Sequence, residues 1–268
     1  MSLIFRRFAV YDPGPAPLAG FGARWLGWDA AAGQSVPAKT PAAWTEPARR
    51  YGFHATIKAP FRLAEDVTPD ALAQALQSLA ATLPPVDLPD GLQLAALDGF
   101  LALIPVPQPM ALTDMAAAVV RGLDDFRAPL TDADIARRRP ETLTPKERAN
   151  LDRWGYPHVM DDFRYHMTLT GPLSDPDLAQ ARAQLDAALT GLLPRPHQIT
   201  ELALTGEDAD GFFHEISRFP LGCQAAGRSG HLFPATQHPR HRRPSRADDM
   251  LRDGDQHQPQ RQPEQPVT

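Results

Sequence analysis

Two matching strings of eight residues limit the folds that this 268-residue chain can adopt. They occupy residues 53–60 (FHATIKAP) and 165–172 (YHMTLTGP). Each has an aromatic residue, then H-x-T, then an aliphatic residue, and each ends in proline. A chance duplicate of H-x-T alone among nine histidines is roughly a one-in-ten event, but the matching flanks lower that chance well below about one in a hundred. The repeat therefore predicts two equivalent structural units.

Both strings alternate polar and apolar residues, which is typical of a β-strand with one buried face. In each string the aromatic and aliphatic residues share one face, and the imidazole and hydroxyl groups share the other. Two such polar faces opposed across a cleft would form a polar pocket. The side chains predicted to face it are His54, Thr56, Lys58, His166, Thr168 and Thr170.

This residue set suits the cleavage of a phosphodiester, in which one proton leaves the attacking oxygen and another reaches the leaving oxygen. Imidazole titrates near neutral pH, so His54 and His166 can share these two transfers. Thr56 and Thr168 can bind the non-bridging oxygens, and Lys58 can add positive charge. The two motifs contain the same groups, so the sequence does not distinguish the acid from the base. We expect no cofactor and no metal in this mechanism.

The remaining pattern predicts an α+β fold in which the order strand, helix, strand, strand occurs twice, with antiparallel sheets flanking a central cleft. Lobe 1 is predicted at about residues 1–110 and lobe 2 at about 155–221, with a helical insert at about 111–154, together forming one bilobal domain over residues 1–223. Specific signals include a helix opened by Thr68-Pro69, a hairpin turn at Asp98-Gly99 and a capping box at Thr144 and Glu147. Residues 224–268 are rich in Pro, Arg, His and Gln, which predicts a disordered tail.

Composition narrows the function further. A net charge of −5 argues against nucleic acid as the partner and favours a small phosphorylated sugar or nucleotide. The single cysteine, Cys223, excludes an internal disulfide and a multi-cysteine zinc site. No signal peptide or membrane-spanning run is evident, so we expect a cytoplasmic protein. The oligomeric state is not encoded in any recognisable pattern.

The paired motifs resemble those of the two-histidine (2H) phosphoesterase superfamily, over most of residues 7–221. The longer strings at residues 50–61 and 163–173, with residues 99–103 (GFLAL) and 137–140 (RRRP), are similar to one branch, the DUF1045 family associated with phosphonate-utilisation operons. The resemblance implies a bilobal 2H fold with His54 and His166 as the catalytic pair and Thr56 and Thr168 as phosphate-binding hydroxyls. It also implies 5-phosphoribosyl 1,2-cyclic phosphate as the leading substrate.

A 5-phosphate on that substrate would need its own cation, and Arg50, Lys58 and Arg164 are the candidates by charge and sequence proximity. Either arginine can equally be a surface ion-pair partner. Tyr51 is a possible substrate contact, whereas parity places Tyr165 in the core. Residues 158–162 (HVMDD) contain metal-type ligands, but their spacing fits no known tight metal site.

Two alternatives remain from the sequence. The first is an enzyme acting on RNA ends, either 2′,3′-cyclic phosphates or 2′-5′ linkages, which the same four side chains could perform. The second is a non-catalytic module that binds a phosphorylated ligand, for which two proton-exchanging groups would not be needed.

Overall fold

The computed structural model describes residues 4–222, and strands form its centre. In chain order they are β1 (Arg7–Asp12), β2 (Trp28–Asp29), β3 (Gln34–Ser35), β4 (Ala55–Phe61), β5 (Val86–Leu88), β6 (Leu92–Leu97), β7 (Phe100–Pro105), β8 (Met167–Thr168), β9 (His197–Ile199), β10 (Glu201–Glu207) and β11 (Phe213–Pro220). Seven of them form an antiparallel sheet in the order β11-β10-β1-β4-β8-β7-β6. Two-stranded sheets, β2-β3 and β5-β9, lie outside it.

Seven α-helices accompany the strands in the described residues. They are α1 (Ala16–Leu26), α2 (Ala42–Arg49), α3 (Pro69–Thr82), α4 (Met110–Gly122), α5 (Asp132–Arg137), α6 (Pro145–Trp154) and α7 (Asp175–Leu189), with short 3-10 turns at Asp124–Phe126, Pro140–Thr142 and Met160–Asp162. The predicted α+β class with antiparallel strands is confirmed. No helix within residues 4–222 is long and apolar enough to cross a bilayer.

The two halves of the sheet do not follow the predicted division into residues 1–110 and 155–221. Strands β10 and β11, from the end of the described chain, pair on the β1 side, whereas β6 and β7, from the first half, pair on the β8 side. Each half of the sheet therefore mixes strands from both parts of the chain. Alternating hydrophobicity identifies a strand but does not identify its partner, which is why the predicted lobe boundaries were wrong. The predicted tail at 224–268 lies outside the described residues.

Several local signals are confirmed. The Thr68 hydroxyl caps α3 by accepting a hydrogen bond from Ala71 N at 3.2 Å. Asp98 and Gly99 form the turn between β6 and β7 with φ values of 45° and 87°, as a two-residue primed turn requires. The capping box of Thr144 and Glu147 opens α6.

The predicted helical insert at 111–154 needs correction at its first helix. The apolar face of α4, with Leu112, Met115 and Val119, is buried in the main core and packs against β4. The insert is therefore limited to the segment after α4, residues 124–162, which contains helices and 3-10 turns and no strand. Ion pairs of Arg62 with Asp134 at 2.9 Å and of Arg127 with Asp124 at 3.0 Å tie this segment to itself and to the residue after β4.

Candidate active site

The two histidine motifs lie side by side at the centre of the sheet. Ala55 of β4 is paired with Met167 of β8, and both are fully buried in the core below the sheet. One step along each antiparallel strand sets His54 beside Thr168 and Thr56 beside His166 on the opposite face. The motifs therefore meet edge to edge in one continuous sheet, and the cleft lies above their shared face.

This register gives the four side chains an approximate two-fold arrangement around the Ala55–Met167 pair. Directly opposed residues on one face of an antiparallel pair have Cβ atoms about 4.5–5.5 Å apart, and diagonal neighbours are about 7–8 Å apart. Each histidine is thus adjacent to the threonine of the other motif, and the two histidines occupy the long diagonal. A phosphate above the pair can be flanked by both imidazoles and both hydroxyls.

Local hydrogen bonds fix the tautomer of His54. Its Nδ1 lies 3.0 Å from the carbonyl oxygen of Gly52, which can only accept, so Nδ1 bears the hydrogen of the neutral ring. Nε2 then accepts a hydrogen bond from the Thr56 hydroxyl at 3.0 Å. Gly52 has φ +72°, a conformation that favours glycine and that brings the chain from the end of α2 to His54. The basic nitrogen of His54 therefore lies on the cleft side.

The surroundings of His54 oppose its protonation. Its ring stacks on the buried ring of Tyr11, with centroids 3.6 Å apart and planes inclined by 20°. Burial lowers the pKa of His54 from its ordinary 6.5 to about 4, the neighbouring His166 lowers it as well, and the hydrogen bond to Gly52 acts in the opposite direction. His54 is consequently neutral at pH 7.

His166 repeats the same backbone contact in a different setting. Its Nδ1 lies 2.8 Å from the carbonyl oxygen of Arg164, two residues earlier, as His54 contacts Gly52. An edge-to-face contact with Phe100, at 6.0 Å between centroids, replaces the close stack made by Tyr11. Both motifs therefore direct Nε2 away from the backbone, but only His54 is covered by a parallel aromatic ring.

The cleft has two adjoining compartments. The His54 compartment has a volume of about 400 Å³ and includes both motif threonines, whereas the His166 compartment has a volume of about 510 Å³. Thr56, Ala59, Phe100 and Tyr156 line both, so the compartments join above the histidine pair. Volumes of this size are usual for small-molecule sites, about 300–1,000 Å³.

Lys58 does not reach this cleft, contrary to the parity argument. The pairing of β1 with β4 shifts between Tyr11–Thr56, Val10–Lys58 and Phe8–Phe61, so bulges interrupt the alternation of β4. Both Ile57 and Lys58 are buried, and Lys58 Nζ donates to the carbonyl oxygen of Val120 on α4 at 3.2 Å. Burial lowers the pKa of Lys58 to about 8, with Asp124 opposing and Arg127 reinforcing this shift.

The other predicted site residues lie either in the wall of the cleft or on the protein surface. Thr170 is fully buried in the wall of the His54 compartment, where its hydroxyl accepts from Leu101 N at 2.9 Å. Tyr51 lines the same compartment and stacks on Phe213 with centroids 5.2 Å apart. Arg164 is exposed beside His166, where it donates to the carbonyl oxygens of Asp161 and Phe163 at 3.0 Å. Arg50 is exposed and lines neither compartment.

The structure adds cleft residues that strand parity could not find. Tyr11 comes from β1, Phe100 from the start of β7, and Arg138 and Tyr156 from the segment after α4. Arg7 also lines the His54 compartment, where it is paired with Glu207. The sequence signals for them are the family-similar strings at residues 99–103, which contain Phe100, and at residues 137–140, which contain Arg138.

A family model described as "Protein of unknown function (DUF1045)" matches residues 56–214, which is more than half of the chain. The chain belongs to the DUF1045 family. This confirms the branch expected from residues 50–61 and 163–173. The matched segment includes Thr56, His166 and Thr168 and begins two residues after His54.

Two curated relatives of this DUF1045 member are named "Ribose 1,5-bisphosphate phosphokinase PhnN". The protein from Janthinobacterium sp. (strain Marseille) is 34% identical over 249 residues, covering 85% of this chain and 54% of the relative. The protein from Laribacter hongkongensis (strain HLHK9) is 37% identical over 222 residues, covering 79% and 51%. The chain thus spans about half the length of the curated relatives it matches.

Solved structures also resemble the DUF1045 chain at a low level. A structure titled "Crystal structure of phosphoesterase" has a TM-score of 0.39 and 15% identity, covering 81% of this chain and 99% of the other. The structure of E. coli LigT complexed with 3′-AMP has a TM-score of 0.40 and 16% identity, covering 81% and 98%. Likeness at this level says nothing about activity.

A buried pair connects the second motif of this DUF1045 member to β1. The Tyr165 hydroxyl donates to Asp12 Oδ2 at 2.6 Å, and both side chains are at most 3% exposed. Asp12 Oδ1 accepts from Gly14 N at 2.8 Å. Because Tyr165 precedes His166, this contact fixes the backbone that presents the second histidine. The predicted core location of Tyr165 agrees with the structure.

The metal-type residues near His166 have other partners. His158 Nδ1 lies 3.3 Å from Glu147, and Asp162 lies 3.2 Å from Lys146 Nζ and accepts from Asn150 Nδ2 at 3.0 Å. In residues 4–222 no group of three or more His, Cys, Asp or Glu side chains is placed to hold a metal ion.

Proposed function

We propose that this DUF1045 protein is a phosphodiesterase that opens a small cyclic phosphate by two-histidine acid/base catalysis, without a metal ion in any step. The observation that supports this most strongly is the register at Ala55–Met167, which places both H-x-T motifs on one face beneath a cleft of small-molecule size. Two imidazoles on a diagonal provide the two proton transfers that the reaction needs.

The reaction proceeds by attack of water on phosphorus. Nε2 of His54 removes a proton from the water as its oxygen bonds to phosphorus, and the bond from phosphorus to one ring oxygen breaks. His166, in its protonated form, donates a proton to that leaving oxygen. The Thr56 and Thr168 hydroxyls turn toward the non-bridging oxygens and stabilise the charge that develops there. The product is a phosphate monoester, and the histidines have exchanged protonation states.

The assignment of His54 as the base rests on the asymmetry between the motifs. Its Nδ1 is occupied by the carbonyl of Gly52 and its pKa is lowered to about 4, so Nε2 is unprotonated at pH 7 and its lone pair becomes available once the Thr56 hydroxyl turns to the phosphate. A base this weak becomes stronger when an anionic ester lies beside it, because a nearby negative charge favours the imidazolium. The expected roles are therefore set by environment, since the two motifs have the same chemical groups.

For the substrate we propose 5-phosphoribosyl 1,2-cyclic phosphate. The curated relatives are named for ribose 1,5-bisphosphate, and cleavage of the phosphorus–O2 bond of the cyclic ester by water yields that compound. The kinase part of that name belongs to relatives of which this chain spans about half. Its three lysines follow Ala38, Ile57 and Pro145, so the sequence contains no Gly-Lys-Ser/Thr phosphate-binding string.

The test is turnover of purified protein in EDTA with two substrates, followed by phosphorus NMR. We expect 5-phosphoribosyl 1,2-cyclic phosphate to be opened with a proton-coupled monoester signal, and nucleoside 2′,3′-cyclic phosphates to react more slowly. His54→Ala combined with His166→Ala is the control and should be inactive. No turnover of either substrate, or full activity in the double variant, contradicts the proposal. Faster turnover of the nucleotide supports the RNA-end alternative instead.

A further inference from the structure

The cations around the His54 compartment differ in whether they have a partner. A narrow crevice of about 40 Å³ adjoins this compartment and shares Arg7, Ala59, Pro60, Arg138 and Tyr156 with it. Every other cation lining the compartment or the crevice has a neutralising or accepting partner within residues 4–222. These pairs are Arg7 with Glu207, Lys58 with the Val120 carbonyl, Arg62 and Arg137 with Asp134, and Arg127 with Asp124.

Arg138 is the exception. Among the described residues, no hydrogen bond or ion pair involves its guanidinium, which lies over the ring of Tyr156 at 4.7 Å from the centroid. A stacked guanidinium keeps its edge N–H groups available, and these match two oxygens of a phosphate. Stacking on an aromatic face also limits the side chain's freedom before a ligand binds. The contact therefore holds a cation in the cleft wall with its donors free.

The backbone around Arg138 is well supported. Arg138 directly follows α5, whose first turn is closed by a capping box between Thr131 and Asp134. Asp134 is also bonded to Arg62 at 2.9 Å, next to the end of β4. Tyr156 follows Gly155, which ends α6. Both members of the stacked pair thus come from the segment after α4, while the histidines come from the central sheet.

We propose that Arg138, held by Tyr156, is the cation of a second anion subsite, which binds a phosphate monoester at the far end of the substrate. This rests on the proposed function and replaces Arg50, Lys58 and Arg164 as the anchor of that group. The first phosphate lies over the threonines of the sheet, and the second reaches the wall formed by the segment after α4. The subsite selects sugars with a terminal phosphate over those without one.

The experiment compares Arg138→Gln with Arg139→Gln, a neighbouring exposed arginine that lines neither the cleft nor the crevice. Each is assayed with ribose 1,2-cyclic phosphate with and without the 5-phosphate. We expect Arg138→Gln to raise KM about 10- to 100-fold for the 5-phosphorylated substrate, the size expected for lost charge-assisted hydrogen bonds, with kcat changed much less. With the substrate that lacks the 5-phosphate, KM should stay within about twofold. Arg139→Gln should change neither.

Arg138→Lys separates charge from shape and is expected to recover part of the loss, since lysine keeps the charge but not the paired donors. An equal loss on both substrates overturns the subsite, because Arg138 would then act at the reacting phosphate. An unchanged KM in Arg138→Gln overturns it as well.

A binding measurement keeps this inference distinct from the proposed function. Calorimetric titration of wild-type protein with ribose 5-phosphate should give a Kd that is at least about tenfold tighter than that of Arg138→Gln. Failure to turn over either cyclic substrate contradicts the proposed reaction, whereas equal binding by the two proteins contradicts the subsite. Circular dichroism of each variant confirms that any loss is not due to unfolding.

Discussion

The first and second histidine motifs share a pattern but not an environment. The strand after His54 is seven residues long, whereas the strand after His166 has two residues, and each strand pairs on both sides. His54 is stacked on Tyr11, and His166 has only an edge contact with Phe100. Identical side chains can therefore take opposite roles, because burial and stacking differ between the two positions.

The largest effects are expected from the histidines themselves. His54→Ala and His166→Ala should each lower kcat about 10²- to 10⁴-fold, because each removes one positioned proton-transfer group. The double variant should be little worse than either single variant if the pair acts as a unit. Initial rates with the cyclic substrate measure all three. Arg139→Gln, at an exposed position that lines neither compartment, is the control and should stay within about twofold. Near-normal activity in either single variant would show that the motifs are not a catalytic pair.

Substitution of the two motif threonines should have a smaller effect on kcat and should reveal a difference between the motifs in the pH profile. Thr56→Val and Thr168→Val each remove a hydroxyl from the proposed phosphate site and should lower kcat about 10- to 100-fold. Only Thr56 also donates to His54 Nε2, which favours the neutral ring. Thr56→Val should therefore raise the pKa of His54 and move the acid limb of the pH profile, while Thr168→Val should leave that limb in place. Serine at either position should restore most of the rate. Equal pH profiles for the two valine variants would contradict the asymmetry.

The pH profile provides the next test. His54 must be neutral to act as base, so the acid limb of kcat/KM should have its midpoint near pH 4, where burial places the pKa of His54. In the kcat profile the limb should lie higher, because the bound anion raises that pKa. Tyr11→Ala admits water and should move the kcat/KM limb up toward 6.5. A wild-type midpoint at 6.5 would contradict the assignment of His54 as the base.

The same shift predicts how stability depends on pH. The pKa of His54 is lower in the folded chain than in the unfolded chain, so the unfolded state binds the proton more tightly. The contribution of neutral His54 is therefore complete above about pH 6.5 and is lost as pH falls toward about 4. Circular dichroism across this range must accompany the rate measurements, so that unfolding is not mistaken for titration.

The sequence could predict the parts of the site that depend on local periodicity. Alternation placed Ala55 and Met167 in the core and their neighbours His54, Thr56, His166 and Thr168 on the other face, as the register has them. Alternation failed at Lys58, because a bulge is a property of two paired strands and not of one string. A helix cap such as Thr68 depends on residues three positions apart, so it could be predicted reliably.

Periodicity within one string could not predict the cleft residues that come from distant elements. Tyr11 reaches His54 only because β1 pairs with β4, and Arg138 reaches the cleft only because the segment after α4 packs above the sheet. Both depend on tertiary pairing, which periodicity does not encode. The predicted lobe boundaries failed for the same reason, since β10 returns to β1 from the other end of the described chain.

The smallest expected effect on catalysis, and the clearest on stability, concerns the residue before each histidine. The first motif has Phe53, and the second has Tyr165, whose hydroxyl donates to buried Asp12 at 2.6 Å. Tyr165→Phe makes the motifs alike and leaves one oxygen of Asp12 without this donor. Urea unfolding should show a loss of about 1–3 kcal/mol, the usual cost of an unsatisfied buried polar group.

A double-mutant cycle identifies the source of that loss. In the Asp12→Asn background Tyr165→Phe should cost less, because the contact between the two side chains is already altered. The rate constant kcat for Tyr165→Phe should remain within about threefold of wild type, since the hydroxyl lies below the sheet and His166 lies above it. A loss of kcat comparable to that of His166→Ala, with unchanged stability, would mean that Tyr165 takes part in the chemistry. The expected pattern would instead show that Tyr165 stabilises the backbone that presents His166, whose strand has two residues where the strand of His54 has seven.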